Sequence, residues 1–137
     1  MKKKTFPYFY HGVKQKTFCS AVVAGGLVYC SGMSGRLPET GAVRNSDAGQ
    51  QTVDALDKVK HNLEEAGTSL KNIVRLNVYV KNTERDRDKI EKAWIGYLQK
   101  YAPDLVENPP AQTWIGVDHL YYPDMLIEFE ATALLPE

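Results

Sequence analysis

The segment Met125–Leu134 constrains the chain most. Met125, Ile127, Phe129, Ala131 and Ala133 fall on one side of an alternating pattern, and Leu126, Glu128, Glu130 and Thr132 on the other. A two-residue period places successive side chains on opposite faces of a strand, so this is a strand with one buried face. Such a strand needs a sheet beside it and a covering layer above it. The same alternation recurs at Asn72–Val80, with Val74, Leu76, Val78 and Val80 facing one way and Arg75, Asn77 and Tyr79 the other.

The covering layer is legible between these strands. From a cap at Ser46 or Asp47, the residues Thr52, Leu56, Val59, Leu63 and Ala66 recur in steps of four and three, a helical stripe that Gly67 ends in the left-handed C-terminal position. A second stripe, Ile90, Trp94, Tyr97 and Tyr101, follows Thr83 and Asp86, which resemble a capping box, and Pro103, Pro109 and Pro110 forbid its continuation. Upstream, Phe6–Val13 and Ala21–Cys30 read as extended, the latter folded at Gly25-Gly26. Gly32–Asn45 reads as loop, and Ala111–Val117 as a further strand before the last. The expected order is β-β-α-β-α-β-β: an α+β fold over residues 1–137 with a single mixed sheet and two helices on one face. The uncovered face, with Leu126, Tyr79 and Trp114 among polar groups, suits an oligomer interface better than bulk water.

Composition narrows the function classes. Seventeen basic residues balance seventeen acidic ones, so no general field draws in nucleic acid or an anionic membrane. The run Lys2-Lys3-Lys4 reads as solvated terminal charge. No apolar stretch approaches a membrane span and no signal-peptide core follows the start, so a soluble cytoplasmic protein is expected. Cys19 and Cys30 form neither a metal motif nor a disulfide framework. His11, His61 and His119 lack ligand spacing, so no metal and no cofactor is expected.

Motifs along the chain then carry a resemblance. Ala21-Val22-Val23-Ala24-Gly25-Gly26-Leu27-Val28-Tyr29, Ser31-Gly32, Pro38-Glu39-Thr40-Gly41, Ala66-Gly67-Thr68-Ser69-Leu70, Pro110-Ala111, Gly116-Val117 and Ile127-Glu128-Phe129-Glu130-Ala131 stand in an order and spacing that resemble the RidA/YjgF family, also labelled L-PSP endoribonuclease-like. The resemblance implies the architecture of a homotrimer with a barrel-like centre and small-molecule clefts between subunits. In the best-known branch it also implies hydrolysis of enamines and imines to a keto acid and ammonia.

Two groups serve that chemistry in the deaminating branch. The glutamate that orients or activates water is matched by Glu128, the expected catalytic residue, while Glu130 reads as structural. The arginine that pairs with a substrate carboxylate is replaced by Gln112, which can hydrogen-bond but brings no charge. The substrate is therefore expected to lack a carboxylate there, or another cation replaces the arginine, or catalysis is lost. The family's Pro-Tyr-Ser-Gln stretch reads Thr17-Phe18-Cys19-Ser20, which keeps an aromatic wall at Phe18 and loses a hydroxyl. Trp114, on the face of Gln112, offers a second wall or packs in the core. Cys19 reads as a small buried thiol, with a nucleophilic role as the alternative.

The stretch Ser31-Gly32-Met33-Ser34-Gly35-Arg36 resembles the aminomuconate-deaminase-like branch, which makes Arg36 a candidate anion binder and puts Ser31 and Gly32 beside the substrate. The leading reading is a Rid-type hydrolase of a small C–N substrate other than the usual imino acids. The alternative is a non-catalytic trimer that keeps the cleft to bind a metabolite. Ribonuclease activity fits poorly with balanced charge and the lack of a basic, aromatic-interleaved stripe.

Overall fold

A computed structural model describes residues 2–137. Seven strands form one mixed sheet: β1 (Lys4–Tyr10), β2 (Val13–Ala24), β3 (Leu27–Cys30), β4 (Met33–Ser34), β5 (Ile73–Val80), β6 (Ala111–Gly116) and β7 (Ile127–Leu134). Their order across the sheet is β1-β2-β3-β7-β5-β6, with β4 also paired to β7, and only β5 and β6 run parallel. Helix α1 (Ala48–Glu65) lies over β3, β4 and β7, and α2 (Thr83–Tyr101) lies beside it over β5. The expected single sheet with a helical layer is observed. The chain adds a short helix α3 (Asp104–Glu107), a 3-10 turn at Leu70–Asn72 and the small strand β4 inside the stretch read as loop.

The helical stripes bury as their spacing demands. Thr52, Leu56, Val59 and Leu63 of α1 and Ile90 of α2 are fully buried. They meet Ile127, Phe129, Ala131 and Ala133 of β7, and Trp94 stacks on Phe129 with ring centroids 6.1 Å apart. Asp47 caps α1 by accepting from the Gln50 amide, and Gly67 adopts φ +96 past its end. Tyr97 ties the two helices by donating to Asp57 Oδ1 at 2.6 Å.

Four local expectations are corrected. The first strand does not run to Val13: His11 and Gly12 take φ 52 and 72 and close a two-residue hairpin turn between β1 and β2. Val74 does not face the core; the β5–β7 register shifts between Ile73 and Arg75, so Ile73 is buried and Val74 stands exposed. The cap of α2 is Asn82, whose side chain accepts from the Arg85 amide, rather than Thr83. Leu126 leaves the open face; it precedes β7 and is buried.

Its amide is held by a buried side chain that makes three hydrogen bonds to the backbone. Gln51, fully buried on α1, accepts from the Leu126 N–H at 2.9 Å and donates to the carbonyls of Asn45 at 3.1 Å and Asp124 at 3.0 Å. One amide thus anchors two loops to the helix. Gly35 packs so closely on it that a Cβ there would lie 2.9 Å from the Gln51 Cα. We predict that Gln51→Leu, which keeps the bulk and strands these three backbone groups, destabilises the fold by about 2–4 kcal/mol in urea unfolding. A loss under about 0.5 kcal/mol would show that the loops are held by other contacts.

Candidate functional site

The cleft forms where the sheet pairing is interrupted. β3 pairs with β7 up to Tyr29↔Thr132, and β4 resumes at Met33↔Phe129. Between them three residues, Cys30, Ser31 and Gly32, stand opposite two, Glu130 and Ala131. The extra residue pushes the Ser31-Gly32 backbone out of the ladder. The opening beside it holds about 620 Å³, the size of a small-metabolite pocket. β1 and β2 supply an aromatic wall through Tyr8, Tyr10 and Phe18, and the loop before β7 supplies Tyr121 and Tyr122.

Glu128 lies on the floor, and Gly32 is the reason it fits. A Cβ at position 32 would lie 2.7 Å from Glu128 Oε1, so only a glycine leaves that space to the carboxyl group. Burial raises the pKa of Glu128, and the neighbouring Glu130 raises it further, with Lys58 acting in the opposite direction. The two glutamates differ in their ties. Glu130 Oε1 accepts from Asn77 Nδ2 at 2.8 Å and from the Tyr79 hydroxyl at 3.3 Å. Glu128 has no such side-chain tie among the described residues, and its carboxyl group faces the cleft.

Arg36 reaches the cleft wall, but its charge is already engaged. Its Nη1 donates to both carboxylate oxygens of Asp124 at 2.8 and 3.0 Å, and its Nη2 to the Tyr10 hydroxyl at 3.3 Å. The guanidinium lies 3.9 Å over the Tyr122 ring. Arg36 is thus built into the wall that its loop forms with residues 122–124. Ser31 and Gly32 border the same space, and so does Phe18.

The structure does not bring Gln112 or Trp114 there. In the parallel β5–β6 register, Gln112 pairs with Leu76 and Trp114 with Val78, whose side chains are buried under the helices. Gln112 and Trp114 therefore share the helix-side face, whereas Glu128 pairs with Tyr79 on the open face. They also lie on the edge strand opposite β1. Trp114 packs against the core and donates from its indole Nε1 to Gln112 Oε1 at 2.8 Å. Cys19 is half-buried at a register shift of β2 and does not border the cleft; Cys30 is buried, which pushes its thiol up to about 12. Among the described residues, no group of three or more His, Cys, Asp or Glu is placed to hold a metal, and no helix is long and apolar enough to cross a membrane.

Sequence reasoning missed Lys58. It extends from α1 into the cleft, where its Nζ donates to the Arg36 carbonyl at 2.6 Å. The signal was its place beside Val59 on the margin of the buried stripe, where a long side chain buries its stem and delivers its charge elsewhere.

The comparisons agree with this architecture. Residues 13–135 match the family model described as endoribonuclease L-PSP. A RutC family protein of Pyrococcus abyssi is 32% identical over 116 residues, covering 85% of this chain and 84% of its own. The 3-aminoacrylate deaminase RutC of Acinetobacter baylyi is 30% identical over 119 residues, covering 85% of both chains. Among solved structures, the yjgF gene product of E. coli superimposes with a TM-score of 0.80 at 27% identity, covering 96% of this chain and 98% of that one. Yeast Mmf1 gives 0.82 at 20% identity, covering 98% and 100%. The cleft geometry, the matched length and these relatives together make the chain a member of the RidA/YjgF family, the endoribonuclease L-PSP family of its model.

Proposed function

We propose that the chain is a Rid-type hydrolase that releases ammonia from a small enamine or imine. One observation carries this reading: a carboxyl group, Glu128, is held in a cleft walled by aromatic rings, with free space before it and its pKa raised by burial. An enamine tautomerises to an imine by taking a proton on carbon and giving one up from nitrogen. Water then adds to the imine carbon, and the resulting amino alcohol collapses to a carbonyl compound and ammonia. Each step moves a proton over a short distance, the work of one well-placed carboxyl group. Glu128 would orient the water and accept its proton. The carbonyls and amides around Ser31 and Gly32 would hold the substrate, and Phe18 would wall it. That a relative is named 3-aminoacrylate deaminase supports the same reaction class.

Homotrimeric assembly belongs to the same proposal. Gln112 and Trp114 on the far edge strand can meet Glu128 only if another subunit supplies them. Ile115 on that strand and Tyr29 on β3 are exposed apolar groups in need of cover. Light scattering in solution should give the mass of three subunits; a monomer at micromolar concentration would overturn the shared cleft. The free thiols fit a reducing compartment, and the cytoplasm is the proposed location.

The replacement of the family arginine by Gln112 favours a second reading, a binding trimer without turnover. The two separate in one assay, ammonia release from 2-aminoacrylate and 3-aminoacrylate generated in situ. Glu128→Ala should lower kcat by at least about a hundredfold, the usual weight of a positioned acid–base group. Ligand-induced thermal shifts with no turnover in wild type would select the binding reading. Because the carboxylate form must act, activity should fall as pH drops through the Glu128 pKa, and that fall should lie above the ordinary value of 4.5. Gly32→Ala supplies an independent check. Its new Cβ displaces the carboxyl group, so kcat should drop at least tenfold while the melting temperature stays within a few degrees. Unchanged kcat in Gly32→Ala would show that the observed position of Glu128 is not the one used.

A further inference from the structure

The cleft contains two cations, and their situations differ. Arg36 is neutralised by the contact of its Nη1 with both carboxylate oxygens of Asp124 and lies over the Tyr122 ring. Lys58 has no carboxylate within ion-pair distance among the described residues; its only close partner is the neutral carbonyl of Arg36 at 2.6 Å. An ammonium carries three donors, so two remain for a ligand. It enters from α1 on the wall next to Glu128, and both side chains border the same 620 Å³ space. The family's anion-binding arginine is Gln112 here, which leaves the substrate without a cation from that strand.

We propose that Lys58 is the carboxylate anchor of this cleft, so that the substrate is a small carboxylated enamine or imine held with its anionic end toward α1 and its C–N bond toward Glu128. The inference rests on the hydrolase reading for the identity of the C–N bond, but the anchor can be tested by binding alone. A charge-assisted bond from an ammonium to a carboxylate is worth about twice a neutral one, and it brings no planar fork, so the substrate's orientation is set by the aromatic walls around it.

The anchor gives binding a pH dependence of definite sign. Burial lowers the Lys58 pKa to about 8, and the groups facing it are Glu128 on β7, Asp54 on α1, and Glu39 and Arg36 in the preceding loop. The three carboxylates favour its charged form and Arg36 opposes it. Below about pH 8 the ammonium is charged and holds an anion; above it the charge, and with it the affinity, is lost. Arginine at the same position would stay charged throughout.

The experiment titrates the trimer or whatever assembly the protein forms with pyruvate and with pyruvamide, its uncharged isostere, following chemical shifts by NMR. Wild type should prefer pyruvate at pH 7, and Lys58→Met should weaken pyruvate binding by tenfold to a hundredfold while pyruvamide binding stays unchanged. From pH 7 to 9 pyruvate affinity should fall in wild type and stay level in Lys58→Arg. Should Lys58→Met fail to fold, the Lys58→Arg profile decides alone. Equal binding of the two ligands by wild type, a preference retained in Lys58→Met, or the same alkaline loss in Lys58→Arg would each overturn the anchor. Glu128→Gln keeps the two conclusions apart: it should retain the pyruvate preference, whatever becomes of its turnover.

Discussion

The buried amide of Gln51 is the point on which the cleft is hung. A fully buried amide is costly unless its donors and acceptor are all used, and here each finds a backbone partner, one in the loop before α1 and two in the loop before β7. Through Asp124 it sets the loop that holds Arg36. Through Leu126 it sets where β7 starts, and therefore which residue of that strand points into the gap opposite Gly32. A loop of this length without such a tie would sample many conformations, and the wall formed by Tyr122 and Arg36 would move with it.

From that anchor the electrostatics follow in sequence. Arg36 and Asp124 cancel one another at the mouth, and Glu130 is drawn sideways by Asn77 and Tyr79. What remains facing the interior is one carboxyl group and one ammonium, each shifted by burial away from its charged form and each partly restored by the other. Such a pair is poorly explained as stabilisation, because burying both charges without direct contact costs more solvation than their attraction returns. Groups left in that condition are more readily understood as partners for a ligand.

How far the sequence carried can be judged at particular residues. The periods of two and 3.6 placed Leu56, Leu63, Ile90 and Phe129 in the core, because burial of a stripe or a face leaves a repeat. A bulge leaves none, so Val74 was assigned to the wrong side by the one residue that the register of β5 absorbs. The His11-Gly12 turn was hidden for a related reason: a non-glycine residue in the left-handed region is uncommon, and its cost is met by packing of the hairpin tip on the Pro38 carbonyl. The family motif identified Glu128 and the loop around Gly32. It could not show that Gln112 lies on the other face of the sheet, since facing depends on the parallel pairing of β6 with β5, and no residue in either strand announces that partner.

The same limit explains why Lys58 was passed over, and why the loss of the arginine need not mean the loss of an anion. A motif records which strand supplies a charge, whereas a cleft records only whether a charge arrives. On β6 of the same chain a cation at position 112 would stand on the helix-side face at the far edge of the sheet, away from Glu128. On α1 it arrives from within, because position 58 lies at the border of the helix stripe and just beneath the Arg36 carbonyl. Moving the cation also changes its chemistry. A guanidinium holds its charge at every pH a cell experiences, whereas a half-buried ammonium near pH 8 can release it. A site built this way binds an anion firmly near neutrality and loosely above it, and its selectivity falls to the shape of the aromatic wall.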